Sequence, residues 1–206
     1  MNYHQRSGLR TGRFILAMFV ASFVFLSACD SVEPDDGGGG DQELITLVSL
    51  VLTPQGGGAA ETVEATFDEA GVLLSADTIE LAGGTNYEAA IDLRNTLVNP
   101  PESIIPEVRD EEPEAHRFFY EAEGGVAGRV TAIDFDEDPN GDPLGTTFVL
   151  VASGGVPAAG QLRVVLRHYE EDATLPDDKR SDTALAPEVP GVVENDVNFV
   201  FPVQIN

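Results

Sequence analysis

Apolar and polar residues alternate with a period of two along most of this chain. In "ETVEATFD" (residues 61–68), Val63, Ala65 and Phe67 fall on one side, and Thr62, Glu64 and Thr66 on the other. "YEAAIDLR" repeats the pattern with Tyr87, Ala89, Ile91 and Leu93. "DVNFVFPVQI" sets out Val197, Phe199, Phe201, Val203 and Ile205. Such alternation marks a strand with one buried face, because successive side chains point to opposite sides of a sheet. Further strands are expected over 45–52, 78–81, 117–121, 130–135, 146–151 and 161–169, and helical periodicity is nearly absent.

Glycine- and proline-rich stretches such as "PQGGG", "AGGTN" and "ASGGVPAAG" separate these segments. About nine short strands with frequent turn signals predict an all-β domain, an antiparallel immunoglobulin-like β-sandwich, with a closed β-barrel as the alternative. Pro202 cannot donate to a ladder, so its strand is expected at a sheet edge. Two connections are long. Residues 99–115, "NPPESIIPEVRDEEPEA", hold four prolines and six acids, and residues 171–195 form a longer one. Connections of this length are usually functional or disordered.

The N-terminus follows a different pattern. Arg6, Arg10 and Arg13 precede an uncharged apolar run of 13 residues, "FILAMFVASFVFL". That is short of the roughly 20 residues of a membrane-spanning helix and matches a signal-peptide core. "LSAC" (26–29) then resembles a bacterial lipobox, with Cys29 as the lipidated residue of the mature N-terminus. Residues 1–28 are therefore expected to be removed. Residues 29–43 carry the lipid on an acidic, glycine-rich tether, and residues 44–206 form the domain. Asp30, Glu33, Asp35 and Asp36 in the tether resemble a surface-export signal, which gives an outer-membrane, surface-exposed lipoprotein as the expectation. Cys29 is the only cysteine, which leaves no intrachain disulfide and no thiol catalysis.

Charge narrows the partners. The chain has 11 Lys+Arg against 36 Asp+Glu, a formal net charge of −25. Losing the three arginines of the targeting segment leaves 8 basic residues and a net −28. Such a surface repels phosphate backbones, which excludes nucleic acid, and anionic lipid headgroups are poor partners for the same reason. Membrane attachment then falls to the lipid alone. Lys179 is the only lysine, a balance that resembles proteins of salt-loving organisms, where counter-ions screen self-repulsion.

In the order and spacing of "LVLTPQGGG" (50–58), "EAHRFFY" (114–120), "GDPLGTTFVL" (141–150) and "GQLRVVLRH" (160–168), the chain resembles small lipoproteins of Bacteroidota and their relatives. The resemblance spans most of the domain and implies an all-β fold and an envelope location. It assigns no activity. Some members of that group carry a name implying a periplasmic-binding fold, which is α/β, and no repeated βα units are legible here.

Two clusters could hold a metal. In "DFDEDPNGDPLG" (134–145), counting from Asp136, residues Asp138, Asn140 and Gly141 take positions 3, 5 and 6 of a calcium loop. Position 12 is Thr147, which lacks the bidentate carboxylate, and Pro139 and Pro143 intrude. Asp138-Pro139-Asn140-Gly141 is also the favoured order of a type I turn joining two strands. The candidate calcium ligands are Asp134, Asp136, Asp138, Asn140 and Asp142.

The second cluster rests on His116 and His168, the two histidines outside the targeting segment. Histidine with carboxylate suits zinc or copper. Glu112 and Glu114 would supply the oxygen if residues 99–115 fold over the end of the 161–169 strand. Against this, His168 follows Leu162, Val164 and Leu166 on one strand face and could simply cap the core. No HxH or HxxxH spacing links the pair. Arg163 and Arg167 share the opposite face and could hold a carboxylate ligand or partner, or neutralise acids on neighbouring strands.

The chain has no GxSxG, Walker, dinucleotide or HExxH signature. The expectation is a non-catalytic, lipid-anchored binding or accessory module that recognises an outer-membrane protein or a small ligand through its loops. A calcium- or zinc/copper-binding surface lipoprotein is the alternative, and a hydrolase is the third reading.

Overall fold

A computed structural model describes residues 44–169 and 193–206. The targeting segment, Cys29, the tether and residues 170–192 of the second long connection lie outside the described residues. Eleven strands are present in that range: β1 (Leu47–Pro54), β2 (Glu61–Phe67), β3 (Leu73–Ala76), β4 (Ile79–Leu81), β5 (Thr85–Asn95), β6 (Glu102–Ser103), β7 (His116–Gly124), β8 (Val130–Ile133), β9 (Thr147–Ala152), β10 (Ala158–Tyr169) and β11 (Val193–Ile205). All nine expected strands are among them. The two additions, β3 and β6, are short edge pieces too brief to show an alternation of their own.

The strands form two sheets that do not close into a barrel. One runs β3-β2-β1-β5-β9-β8, with β6 pairing the end of β5 beyond β9, and the other runs β4-β11-β10-β7. Pairings among these strands are antiparallel except β4 with β11, which is parallel. The protein is therefore a β-sandwich.

Alternation builds the core. Val48, Leu50, Leu52, Val63, Ala65, Ile91, Leu93, Phe148 and Leu150 line the larger sheet's inner face, and Leu162, Val164, Leu166, Phe199, Phe201 and Val203 that of the smaller; all lie in one buried cluster. Each fully buried Val, Leu or Phe contributes about 1.5–3 kcal/mol of transfer free energy. The layers interlock through aromatic pairs. Phe67 of β2 meets Phe199 of β11 edge-on at 5.1 Å, and Tyr120 of β7 lies 4.0 Å from Phe148 of β9.

Two departures from simple alternation matter. β11 is an interior strand, so Pro202 does not mark the expected edge. Its parallel neighbour β4 pairs only with Val203–Ile205, which leaves that side of the strand open at residue 202. The second departure lies at the His116 end of β7 and the Tyr169 end of β10. There the outward-facing Arg117, Phe119, Val165, Arg167 and Tyr169 are buried as well as the inward-facing residues. The guanidinium carbons of Arg117 and Arg167 stand 4.6 and 5.3 Å from the Phe119 ring centre, so each arginine lays its cation near an aromatic ring. Unbroken apolar runs such as "FFY" and "VVL" are the sequence mark of a strand buried on both faces.

Candidate metal centre

The 99–115 connection is held to the sandwich by its own apolar residues. Ile104, Ile105 and Val108 are buried, and Val108 lies within a single π-helical turn, Glu107–Glu111. The Glu112 N–H closes that turn by donating to the Glu107 carbonyl at 2.8 Å. The Ala115 N–H then donates to the Glu112 carbonyl at 3.0 Å, and the chain enters β7 at His116. On the neighbouring strand, the Tyr169 N–H donates to the Ala115 carbonyl at 2.7 Å, which ties the loop to the end of β10. The loop thus folds over the end of the 161–169 strand.

That arrangement sets His116 directly opposite His168 in the β7–β10 register. Their rings lie 4.6 Å apart, inclined at 43°. His116 is fully buried, His168 partly so, and Glu112 is exposed. One ligand atom from each of Glu112, His116 and His168 falls within 4.8 Å of the others, so an inward shift of the side chains would bring them to the roughly 3.4 Å spacing of ligands on one tetrahedral ion. Among the described residues this is the group of histidines and carboxylates gathered closely enough to share a cation.

The backbone fixes one ring. His116 Nδ1 lies 3.0 Å from the Glu112 carbonyl oxygen, which can only accept. A neutral imidazole in that position carries its proton on Nδ1 and its lone pair on Nε2. Nε2 is directed toward Asp196 of β11, whose Oδ2 is 3.7 Å away, and both side chains are almost wholly enclosed. Asp196 occupies an irregularity in the β10–β11 ladder, where Leu166 pairs with Val197 and Arg167 with Asn195. Sequence reasoning missed this residue. Simple alternation assigns Asp196 to the face opposite Val197, and nothing local announces the bulge.

Glu114, expected as a ligand, lies outside the cluster. Its carboxylate accepts a hydrogen bond from the Asn140 amide at 2.9 Å. The local turns select between the two acids, since Glu112 stands at the bend that contacts His116 and Glu114 faces the acidic hairpin.

That hairpin joins β8 to β9 as expected, and its carboxylates are turned on their own backbone. The Gly141 N–H donates to the Asp138 carbonyl at 3.0 Å, closing the Asp138–Gly141 turn. Asp138 Oδ1 accepts from the backbone N–H groups of Asn140 (2.8 Å) and Asp142 (2.9 Å). Asp136 accepts from the Thr147 N–H at 2.9 Å and from the Thr146 hydroxyl. Asp134 takes a left-handed conformation with φ of 53°. These bonds make Asp136 and Asp138 turn caps, and the structure does not gather Asp134, Asp136, Asp138, Asn140 and Asp142 as it gathers the histidine group.

The two arginines separate. Arg163 pairs with Glu123 on β7 at 2.7 Å, the cross-strand neutralisation anticipated for it, whereas Arg167 is buried beside Phe119. Comparison with protein-family models, curated proteins and solved structures finds no match to this chain.

Proposed function

We propose that this protein is a lipid-anchored, non-catalytic binding module of the cell envelope that holds a divalent transition-metal ion at Glu112, His116 and His168. The observation that carries the reading is the meeting of two histidines from distant segments with a carboxylate of the loop that leads into His116, all within 4.8 Å. Imidazole with carboxylate favours zinc or copper over calcium and magnesium, which prefer all-oxygen shells. The signal sequence and the lipobox at Cys29 support the envelope location. Among the described residues no helix is long and apolar enough to cross a membrane.

The test is a titration of the full chain in detergent with zinc, copper, calcium and magnesium, each followed by a thermal melt. Zinc at a hundred times its Kd stabilises by about 2.7 kcal/mol, a rise of about 5–10 °C in a domain of this size. A chelator reverses that rise, and His168→Ala abolishes it. Equal melts in all four ions would refute the metal reading and leave a module that binds another partner.

A further inference from the structure

We propose that one end of the larger sheet rests on the membrane, through an apolar patch of Leu44, Val72, Leu73, Leu74, Leu97 and Val98 seated on zwitterionic lipid. The inference rests on the lipid-anchored reading given above and adds a second membrane contact to the lipid at Cys29.

Single exposed apolar residues are ordinary on a protein surface, whereas a gathered group marks a contact. Among the described residues eight large apolar side chains are exposed, and six of them belong to this patch, each between 38% and 66% exposed. They come from three segments that Thr46 joins. The Thr46 N–H donates to the Arg94 carbonyl at 2.9 Å, and its hydroxyl accepts from the Thr96 N–H at 2.7 Å. That sets residues 97–98 at the same end of the sheet as Leu44. The Phe67 N–H donates to the Thr46 carbonyl at 2.9 Å, and the Asp68 N–H donates to the Val72 carbonyl at 3.1 Å. That brings the start of β3 to the same end.

The point at which the tether joins the domain identifies the occupant. Residues 29–43, which lead from the lipidated Cys29, join the domain at Leu44, inside the patch. The other end of the sheet, where Thr85 of β5 pairs with Ala152 and Val156 stands exposed, is about 35 Å away along the eleven residues of β5. A second copy of the chain fits less well. β3 is an open edge, but it is four residues long, its ladder is irregular at Thr66 and Phe67, and Leu44, Leu97 and Val98 lie off that edge. Six residues are also few beside the roughly 20–30 a side of a stable protein interface.

Charge selects the headgroup. Arg94 is paired with Asp92, and Asp68 turns its carboxylate onto the Ala70 and Val72 N–H groups. Glu69 and Glu102 stand exposed around the patch, Glu102 opposite Asn95 in the β5–β6 register. Carboxylates there attract the ammonium of a zwitterionic headgroup and repel anionic lipid. The contact itself is apolar burial at the lipid interface, which a strongly acidic protein can still make. Attachment is then shared between the lipid and this patch.

The experiment uses the full chain matured in a bacterial host. Cys29 is the only native cysteine, so Val72→Cys, Leu97→Cys and Val156→Cys each carry one polarity-sensitive nitrobenzoxadiazole label. The proteins are placed in phosphatidylcholine vesicles, with and without lipid bearing a nitroxide near its headgroup. A blue shift and nitroxide quenching at residues 72 and 97, with neither at residue 156, support the proposal. In the Val72→Cys protein, a further Leu97→Glu change should reverse both signals. Equal water exposure at all three labels overturns the patch and leaves the lipid anchor standing. Labels at 72 and 97 that are shielded without nitroxide quenching, in a protein that cross-links to itself, overturn it in favour of a second copy. Mass spectrometry that finds no lipid on Cys29 removes the anchor and this proposal together.

Discussion

His116 and His168 lie opposite each other on adjacent strands, ring centres 4.6 Å apart, one enclosed and the other half open. The asymmetry separates two roles that either histidine could play. Replacing His116 with alanine removes a buried ring and a hydrogen bond, and is expected to cost about 1–3 kcal/mol in the absence of metal. Replacing His168 should cost less than about 1 kcal/mol there. Both should abolish zinc binding. Urea unfolding in chelator, set beside zinc titration, reads the two effects independently.

The acidic hairpin gives an order of effects that distinguishes a turn from an ion site. Asp138→Ala strips the acceptor from two backbone N–H groups and should destabilise by about 1–3 kcal/mol in chelator. Asp134→Gly relieves a left-handed residue of its Cβ and should be neutral or slightly stabilising. Denaturation midpoints showing equal losses that calcium restores would contradict this account.

At Gly160 the backbone of β10 passes close to β7. A Cβ there would collide with the Glu123 carbonyl oxygen and come within 2.7 Å of Val126 Cγ2. Gly160→Ala should therefore cost about 1–3 kcal/mol by overpacking. Gly56→Ala, with nothing within 4 Å of the added carbon, should stay within about 0.5 kcal/mol of wild type. Urea midpoints of the two variants check the contrast.

Tyr120 predicts an alkaline limit. Burial, and then the charge of Asp136, push its phenol well above the ordinary value, while its hydroxyl donates to the Gly145 carbonyl at 2.8 Å. The folded state therefore holds this proton more tightly than the unfolded chain. The stability it contributes is complete below the unfolded phenol pKa of about 10 and is lost as pH rises from there toward the folded value. Tyr120→Phe should cost about 1 kcal/mol at pH 7 through the lost hydrogen bond and fall less steeply above pH 10. Parallel slopes for the two proteins would show that the phenol does not ionise on unfolding.

With a net charge of −25, self-repulsion should be largest in dilute buffer. The melting temperature is expected to climb by several degrees between low salt and molar potassium chloride, as counter-ions shorten the Debye length to about 3 Å. A flat response in differential scanning calorimetry would show that the acids are spread widely enough not to matter.

The sandwich was legible because its signal is local. Val63-Ala65-Phe67 and Phe199-Phe201-Val203 declare an inner face within a few residues, and Asp138-Pro139-Asn140-Gly141 declares its turn in four. The centre was half legible. His116 and His168 stood out by scarcity, but their pairing is a matter of register between strands that the sequence does not print. The choice of Glu112 over Glu114 depends on how one turn closes against Glu107. Asp196 was hidden because one irregularity in a ladder reverses the direction that alternation assigns, and Pro202 misled because an interior strand can still be open along part of one side.

The parallel pairing of β4 with β11 bears on when this protein can fold. Ile79 and Leu81 lie beside Val203 and Ile205, and the Asn206 N–H donates back to the Leu81 carbonyl. β11 also supplies Val197, Phe199 and Phe201 to the core and lies between β4 and β10. A chain that emerges from its N-terminus cannot complete the smaller sheet until β11, which follows the other described strands, is available. Such distant pairing also places the sandwich among slow-closing topologies, with a half-built core exposed in the interval.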